Sequence, residues 1–126
     1  HGLHATDQLS VRVEDLSLIA DAMRRLREQP PTALAGLTVT RANDLARGTE
    51  TLPPTDGLRY YLSGSPDAGI EAARVVVRPS GTEPKLKCYL EVVVPVASAE
   101  ALPEARTKAV TALESIKRDL AEAAGI

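Results

Sequence analysis

Aromatic side chains are nearly absent from this chain: three Tyr, no Trp and no Phe among 126 residues. Any core must therefore be aliphatic, and the aromatic platforms on which single-stranded bases stack are missing. One cysteine, Cys88, excludes an intramolecular disulfide and fits a reducing compartment such as the cytoplasm. With only His1 and His4 to join it, a zinc cluster of the cysteine–histidine kind is excluded as well. No apolar run reaches the roughly 18 residues of a membrane span. No basic region followed by an apolar stretch marks a signal peptide near His1. The formal net charge of −2 and a pI near 5.7 provide no overall basic field to draw nucleic acid. The chain begins with His1 rather than Met. The expectation is a piece excised from a longer protein, with His1 the end of a purification tag.

What is present suffices for a core. Hydrophobic residues make up 44% of the chain, and a domain of this length buries roughly 65% of its unfolded surface. Residues 8–13 alternate, with Leu9, Val11 and Val13 against Ser10 and Arg12, which predicts a strand. Asp15 is placed to cap a helix carrying Leu18, Ile19, Ala22, Met23 and Leu26 at helical spacing, and Pro30-Pro31 ends it. Residues 32–36 form a connector. A strand follows from Leu37 to about Asp44. Residues 45–57, rich in Gly, Pro, Thr and Asp, read as a long surface loop. Three further strands are predicted over 58–62, 73–77 and 86–94, with a turn or loop at 63–69. Ala109, Leu113, Ile116 and Leu120 then form a helical stripe, with Pro103 in its first turn and Gly125 beyond its last.

Consecutive strands with short loops favour an antiparallel sheet, and helices gathered at the ends favour layer packing. The expected fold class is α+β: a small, four-stranded, mainly antiparallel sheet with helices packed on one face, plus an N-terminal strand–helix segment. Cys88, in register with Leu86, Leu90 and Val92, is expected to be a buried, inert thiol. Lys87, Tyr89 and Glu91 fall on the opposite face, solvated or at an interdomain surface. Of Tyr60 and Tyr61, one ring belongs to the core.

Chemistry concentrates in VVVRPSGTEPKLKCYLEVVV, residues 75–94. Two strand-forming runs flank Arg78-Pro79-Ser80-Gly81-Thr82-Glu83-Pro84-Lys85. A guanidinium presents a planar fork of donors to two phosphate oxygens. Small hydroxyls donate at short range, and a glycine lets backbone N–H groups approach an anion. Arg78, Ser80, Gly81 and Thr82 supply all of these within five residues, and Lys85 adds a second positive charge. Pro, Ser, Gly and Thr are also ordinary turn residues, and Glu83 is an odd neighbour for an anion. On residue types alone, an anion clamp and a plain hairpin turn stand level. Neither a GxxxxGK[ST] loop nor a dinucleotide-binding fingerprint is present.

The run RPSGTEPKLKCYLE closely resembles the C-terminal phosphate-binding loop of the α-D-phosphohexomutases, among them phosphomannomutases and phosphoglucomutases. Arg27-Glu28-Gln29-Pro30-Pro31, Ala35-Gly36, Val39 and Asp44 resemble that family's passage into its fourth domain. Residues 2–13 look like the tail of its third. The resemblance implies a domain boundary: residues 1–34 as the tail of the preceding domain and a linker helix, and residues 35–126 as the C-terminal phosphate-binding domain, likened to the TATA-box-binding-protein fold. It also implies a role. Members interconvert hexose 1- and 6-phosphates through a phosphoserine and a bisphosphorylated sugar, with Mg²⁺ held by aspartates of another domain. The fourth domain clamps the phosphate that is not reacting. Matched position by position, Arg78, Ser80 and Thr82 correspond to side-chain phosphate ligands, Gly81 to a backbone donor, and Lys85 to a basic neighbour.

The serine loop, the aspartate cluster and the sugar-reading loop of the family are all missing here. The resemblance therefore implies no catalytic residue and no metal site within these residues, and no catalysis by the chain alone. Its implied partners are the phosphohexose, the bisphosphorylated intermediate and the remaining domains of the parent, with neither nucleic acid nor membrane. The competing expectation is a stand-alone, non-catalytic α+β module that binds a ligand or regulates.

Overall fold

The computed structural model of the chain describes residues 2–44, 57–65, 69–80 and 83–125. The loop expected at 45–57 lies outside them except for Gly57, as do residues 66–68 of the turn expected at 63–69, whereas residues 63–65 of that turn belong to a strand instead. The elements run β1 (Gly2–Arg12), α1 (Leu16–Glu28), β2 (Ala33–Leu34), β3 (Leu37–Asp44), β4 (Leu58–Ser65), β5 (Ile70–Pro79), β6 (Lys85–Pro95) and α2 (Leu102–Ala124), with a short 3-10 turn, Ala99–Ala101, before α2. The six strands form one sheet in the order β1-β6-β5-β4-β3-β2, and every pairing is antiparallel. The α+β class stands, but the sheet has six strands rather than the expected four.

Both added strands are edges, and each has a local reason. In β1 the partly buried Leu3, Ala5, Leu9 and Val11 mark one face, but Asp7 occupies an inward position between them. That carboxylate breaks the alternation, so the pattern in the sequence begins only after it. Asp7 is tolerated there because Lys117 of α2 meets it in an ion pair. Pairing with β6 then runs unbroken from Gly2↔Pro95 to Arg12↔Lys85. Strand β2 is two residues long and joins β3 through a tight turn at Ala35 and Gly36, with φ of 54° and 77°. Positive φ at both central positions matches the right-handed twist of a two-residue hairpin.

Helix α1 starts where Asp15 accepts a 2.8 Å hydrogen bond from the Ser17 backbone N–H, as a capping side chain should. Of its expected stripe, Ile19, Ala22, Met23 and Leu26 are buried, while Leu18 is exposed. In α2 the predicted Ala109, Leu113, Ile116 and Leu120 are buried together with Ala105 and Ala124. Both stripes join one cluster with the inward residues of β4, β5 and β6. Fully burying an aliphatic side chain contributes about 1.5–3 kcal/mol, and Val75, Val77, Leu86, Leu90 and Val92 all lie within that layer. Tyr60 is the ring that enters the core; its hydroxyl points at the Leu26 carbonyl of α1 at a long 3.5 Å, and burial pushes its pKa up to about 12. Cys88 is buried as expected.

The strict alternation in β5 and β6 decides what the other face carries. Val75, Val77, Leu86, Cys88, Leu90 and Val92 point toward the helices, so Arg74, Arg78, Lys85, Lys87, Tyr89 and Glu91 stand on the open side. On β4 the same rule sends Tyr61 outward, where Arg41 and Arg59 lie over its ring at 5.9 and 5.3 Å from the centroid. The open face of the sheet thus carries a run of cations across β3 to β6.

Candidate functional site at the β5–β6 hairpin tip

The hairpin between β5 and β6 brings the motif to one exposed end of the sheet. Its frame is set by the backbone. The Ser80 N–H donates to the Lys85 carbonyl at 2.9 Å, and the Lys85 N–H donates to the Glu83 carbonyl at 2.7 Å. The first bond continues the β5–β6 register, in which Pro79 pairs with Leu86 and Arg78 with Lys87. The tip is also fixed from the side: the Val13 N–H, just past β1, donates to the Pro84 carbonyl at 2.8 Å. Prolines at 79 and 84 restrict the chain at both exits.

Of the five predicted site residues, Arg78, Ser80 and Lys85 stand together at this end; Gly81 and Thr82 lie outside the described residues. Arg78 is exposed near the end of β5, and its guanidinium carbon sits 5.8 Å from the centre of the Tyr89 ring. A flat guanidinium over a flat ring is held by cation–π attraction while its N–H edge stays free to donate. Lys85 opens β6 with its ammonium 3.5 Å from Glu83 Oε2.

The sequence pattern placed Glu83 in the loop but not its partner from β1. Glu83 places the same Oε2 2.9 Å from Arg12 Nη2, so one carboxylate oxygen serves two cations. Arg12 comes from the end of β1, 71 residues away, and meets the motif only because β1 pairs with β6. Its outward position in the alternating run at 8–13 was legible; its neighbour across the sheet was not. Lys87 lies directly opposite Arg78, also on the open face. Beyond the tip, a shallow cavity of about 420 Å³ runs along the same face, with Thr6, Gln8, Arg74, Tyr89 and Glu91 in its lining.

The arrangement suits an anion and does not suit a nucleophile or a metal. Burial pushes the Cys88 thiol up to about 12, and it points to the helix side of the sheet. Among the described residues no three His, Cys, Asp or Glu side chains converge as a metal site. The side chains described at the tip are mainly cationic and repel Mg²⁺. Among the described residues no helix is long and apolar enough to cross a membrane.

Residues 9–109 match the family model for the phosphoglucomutase/phosphomannomutase C-terminal domain. A relative from Haemophilus influenzae, described as a probable phosphomannomutase, is 38% identical over 90 residues, 71% of this chain and 16% of the relative. The chain thus spans about a sixth of that relative's length. The match begins within β1 and runs through the hairpin tip into α2. On these grounds the chain belongs to the phosphoglucomutase/phosphomannomutase C-terminal domain family.

Proposed function

We propose that this chain is the substrate-phosphate clamp of a phosphohexomutase, an isomerase that moves a phosphoryl group between the 1- and 6-positions of a hexose. One observation carries the reading: the family motif occupies a hairpin tip whose backbone frame sets Arg78, Ser80 and Lys85 at one solvent-facing end of the sheet. Gly81 and Thr82 belong to the same loop by sequence and complete the donor set in this proposal. In this proposal residues 1–34 lead in from the preceding domain and add β1 and α1 to the sheet and core of the clamp, whose body is residues 35–126, of the TATA-box-binding-protein kind. The phosphoserine and the Mg²⁺-binding aspartates belong to the rest of a cytoplasmic parent.

The chemistry follows from where binding energy is used. A clamp on the phosphate that does not react holds the sugar so that the other end meets the phosphoserine. The guanidinium of Arg78 donates two parallel N–H bonds to that phosphate, and Lys85 contributes charge without a fixed geometry. A phosphate looks nearly alike at either end of the sugar, so one clamp serves both half-reactions through the bisphosphorylated intermediate. The name of the Haemophilus relative makes mannose phosphates the first substrates to try.

Titration of the ¹⁵N-labelled chain with mannose 6-phosphate tests the reading. The expected result is saturable shifts centred on residues 78–85, with Kd on the order of mM. Shifts scattered over the surface, or none at saturating ligand, would overturn it.

A further inference from the structure

We infer that Arg12 is a phosphate-binding residue outside the loop motif, and that Glu83 is a built-in carboxylate which the bound phosphate displaces from Arg12 and Lys85. The inference rests on the clamp reading above and adds to it a cation from β1 and a competitor from within the loop.

The geometry of opposed charges points there. Arg12 lies directly across from Lys85 between β1 and β6, and Arg78 lies directly across from Lys87 between β5 and β6. All four stand on the open face of three adjacent strands. Like charges directly opposite one another destabilise a sheet. Two such pairs side by side are unfavourable in a sheet without a ligand and suit an anion site. Among the described residues the carboxylate that meets this group is that of Glu83, and both of its contacts run from a single oxygen: 2.9 Å to Arg12 Nη2 and 3.5 Å to Lys85 Nζ.

Glu83 is well placed to yield. Its side chain is 49% exposed and that of Arg12 64%, and an ion pair so open to water contributes little. A phosphate monoester near pH 7 carries about −1.5 to −2 charges and three acceptor oxygens, against one charge on the carboxylate. It therefore competes favourably for the same two cations. The β1 contact is anchored by backbone as well: the Val13–Pro84 hydrogen bond, one residue past Arg12, keeps the end of β1 at the tip whether or not Glu83 is engaged. Arg12 thus remains within reach of the anion after Glu83 lets go.

A double-mutant cycle read by phosphate titration tests this. The 126-residue chain and its Glu83→Gln, Arg12→Gln and combined variants are titrated with inorganic phosphate at low ionic strength, with Arg78→Ala alongside. Arg12 and Glu83 are exposed, and an unchanged NMR spectrum away from the tip verifies that each variant is folded. Expected results are a roughly three- to tenfold weaker Kd for Arg12→Gln and a roughly threefold or greater tightening for Glu83→Gln. The tightening should shrink in the combined variant, and Arg12→Lys should restore part of the loss. If Arg78→Ala weakens binding while Arg12→Gln leaves it unchanged, the clamp stands and the role of Arg12 falls. If Glu83→Gln weakens binding, Glu83 is a support rather than a competitor and that part is overturned. If the unsubstituted chain shows no shifts at residues 78–85, both readings fall together.

Discussion

The Asp119 carboxylate of α2 accepts a 2.7 Å hydrogen bond from the Ala35 backbone N–H, joining residues 84 positions apart. Ala35 is the described non-glycine residue with positive φ, 54°. An L-residue held in the left-handed region costs about 1–2 kcal/mol. The Asp119 bond and the β2–β3 pairing hold it there, so that the turn can lay β2 under α2. Two outcomes are expected. Ala35→Gly relieves the strain but frees the unfolded chain, for a net change within about 1 kcal/mol and toward greater stability. Asp119→Ala leaves the N–H without its partner and lowers stability by about 1–2 kcal/mol. Urea unfolding of the two variants measures both, and a loss in the glycine variant would show that the turn is not strained.

How much of this was open to sequence reading depends on the range of the interaction. The helices were legible because their cause is local: Asp15 caps α1, Pro30-Pro31 follows it, and the stripes at 19–26 and 109–120 repeat at helical spacing. Strands β5 and β6 were legible because alternation marks a sheet with one covered face. Strand β1 was read too short because Asp7 takes an inward place by virtue of Lys117, 110 residues later. Strand β2 was missed because two residues carry no period. At the site, the motif named Arg78, Ser80 and Lys85, while Arg12 waited on a strand pairing that no local pattern encodes.

The Asp7–Lys117 pair should leave its mark on both ends of the pH range. The hydrogen bond from Lys117 holds the Asp7 carboxyl below the usual carboxylate range, and the same bond raises the Lys117 ammonium above its ordinary value of 10.5. For a depressed carboxylate, the stability is present above its unfolded pKa near 3.9 and is lost as pH falls through the folded value. For a raised lysine, the stability is full below about 10.4 and is lost as pH climbs through the folded value. Asp7 is 40% exposed, so solvent screening limits the pair to under about 1 kcal/mol. Asp7→Asn should therefore lower stability slightly at pH 7 and flatten the fall toward acid. A variant with an unchanged acid limb would show that the ion pair contributes nothing in solution.

Gly64 in β4 sits where β5 comes too close for a side chain. A Cβ there would lie 2.1 Å from the Glu71 carbonyl oxygen and 2.5 Å from that of Ile70. Both are backbone atoms, so no side-chain rotation relieves the clash. Gly64→Ala should cost about 2 kcal/mol or more by forcing the start of β5 away from β4. Thermal unfolding by circular dichroism measures it, and a melting temperature equal to that of the parent chain would rule out the close approach.

Cys88 should behave as a small apolar residue. It is 1% exposed, and burial holds its thiol near 12. At pH 8 a thiol reagent should therefore modify it only as fast as the chain unfolds, and addition of urea should release it. Cys88→Ser places a hydroxyl among Val77, Leu86 and Leu90 and should lower stability by about 1–3 kcal/mol, whereas Cys88→Ala costs less. Rapid labelling under native conditions would contradict the burial.

The stacking of Arg78 on Tyr89 makes a last prediction about how the clamp is aimed. The guanidinium carbon lies 5.8 Å from the ring centre, so under the clamp reading the ring helps hold Arg78 in place for an arriving phosphate. Truncating the ring removes a cation–π contact worth about 0.5–1 kcal/mol at an exposed site. Tyr89→Ala should therefore weaken phosphate binding by about two- to fivefold, while Tyr89→Phe, which keeps the face of the ring, should leave it nearly unchanged. Arg78→Lys keeps the charge and loses the fork, so it should fall between the parent chain and Arg78→Ala. Because Arg78 opposes Lys87 across the sheet, Arg78→Ala should not destabilise the unliganded chain even as it weakens binding about tenfold or more. Phosphate titrations paired with urea unfolding separate the two effects. A stability loss that parallels the binding loss would assign Arg78 to the fold rather than to the ligand.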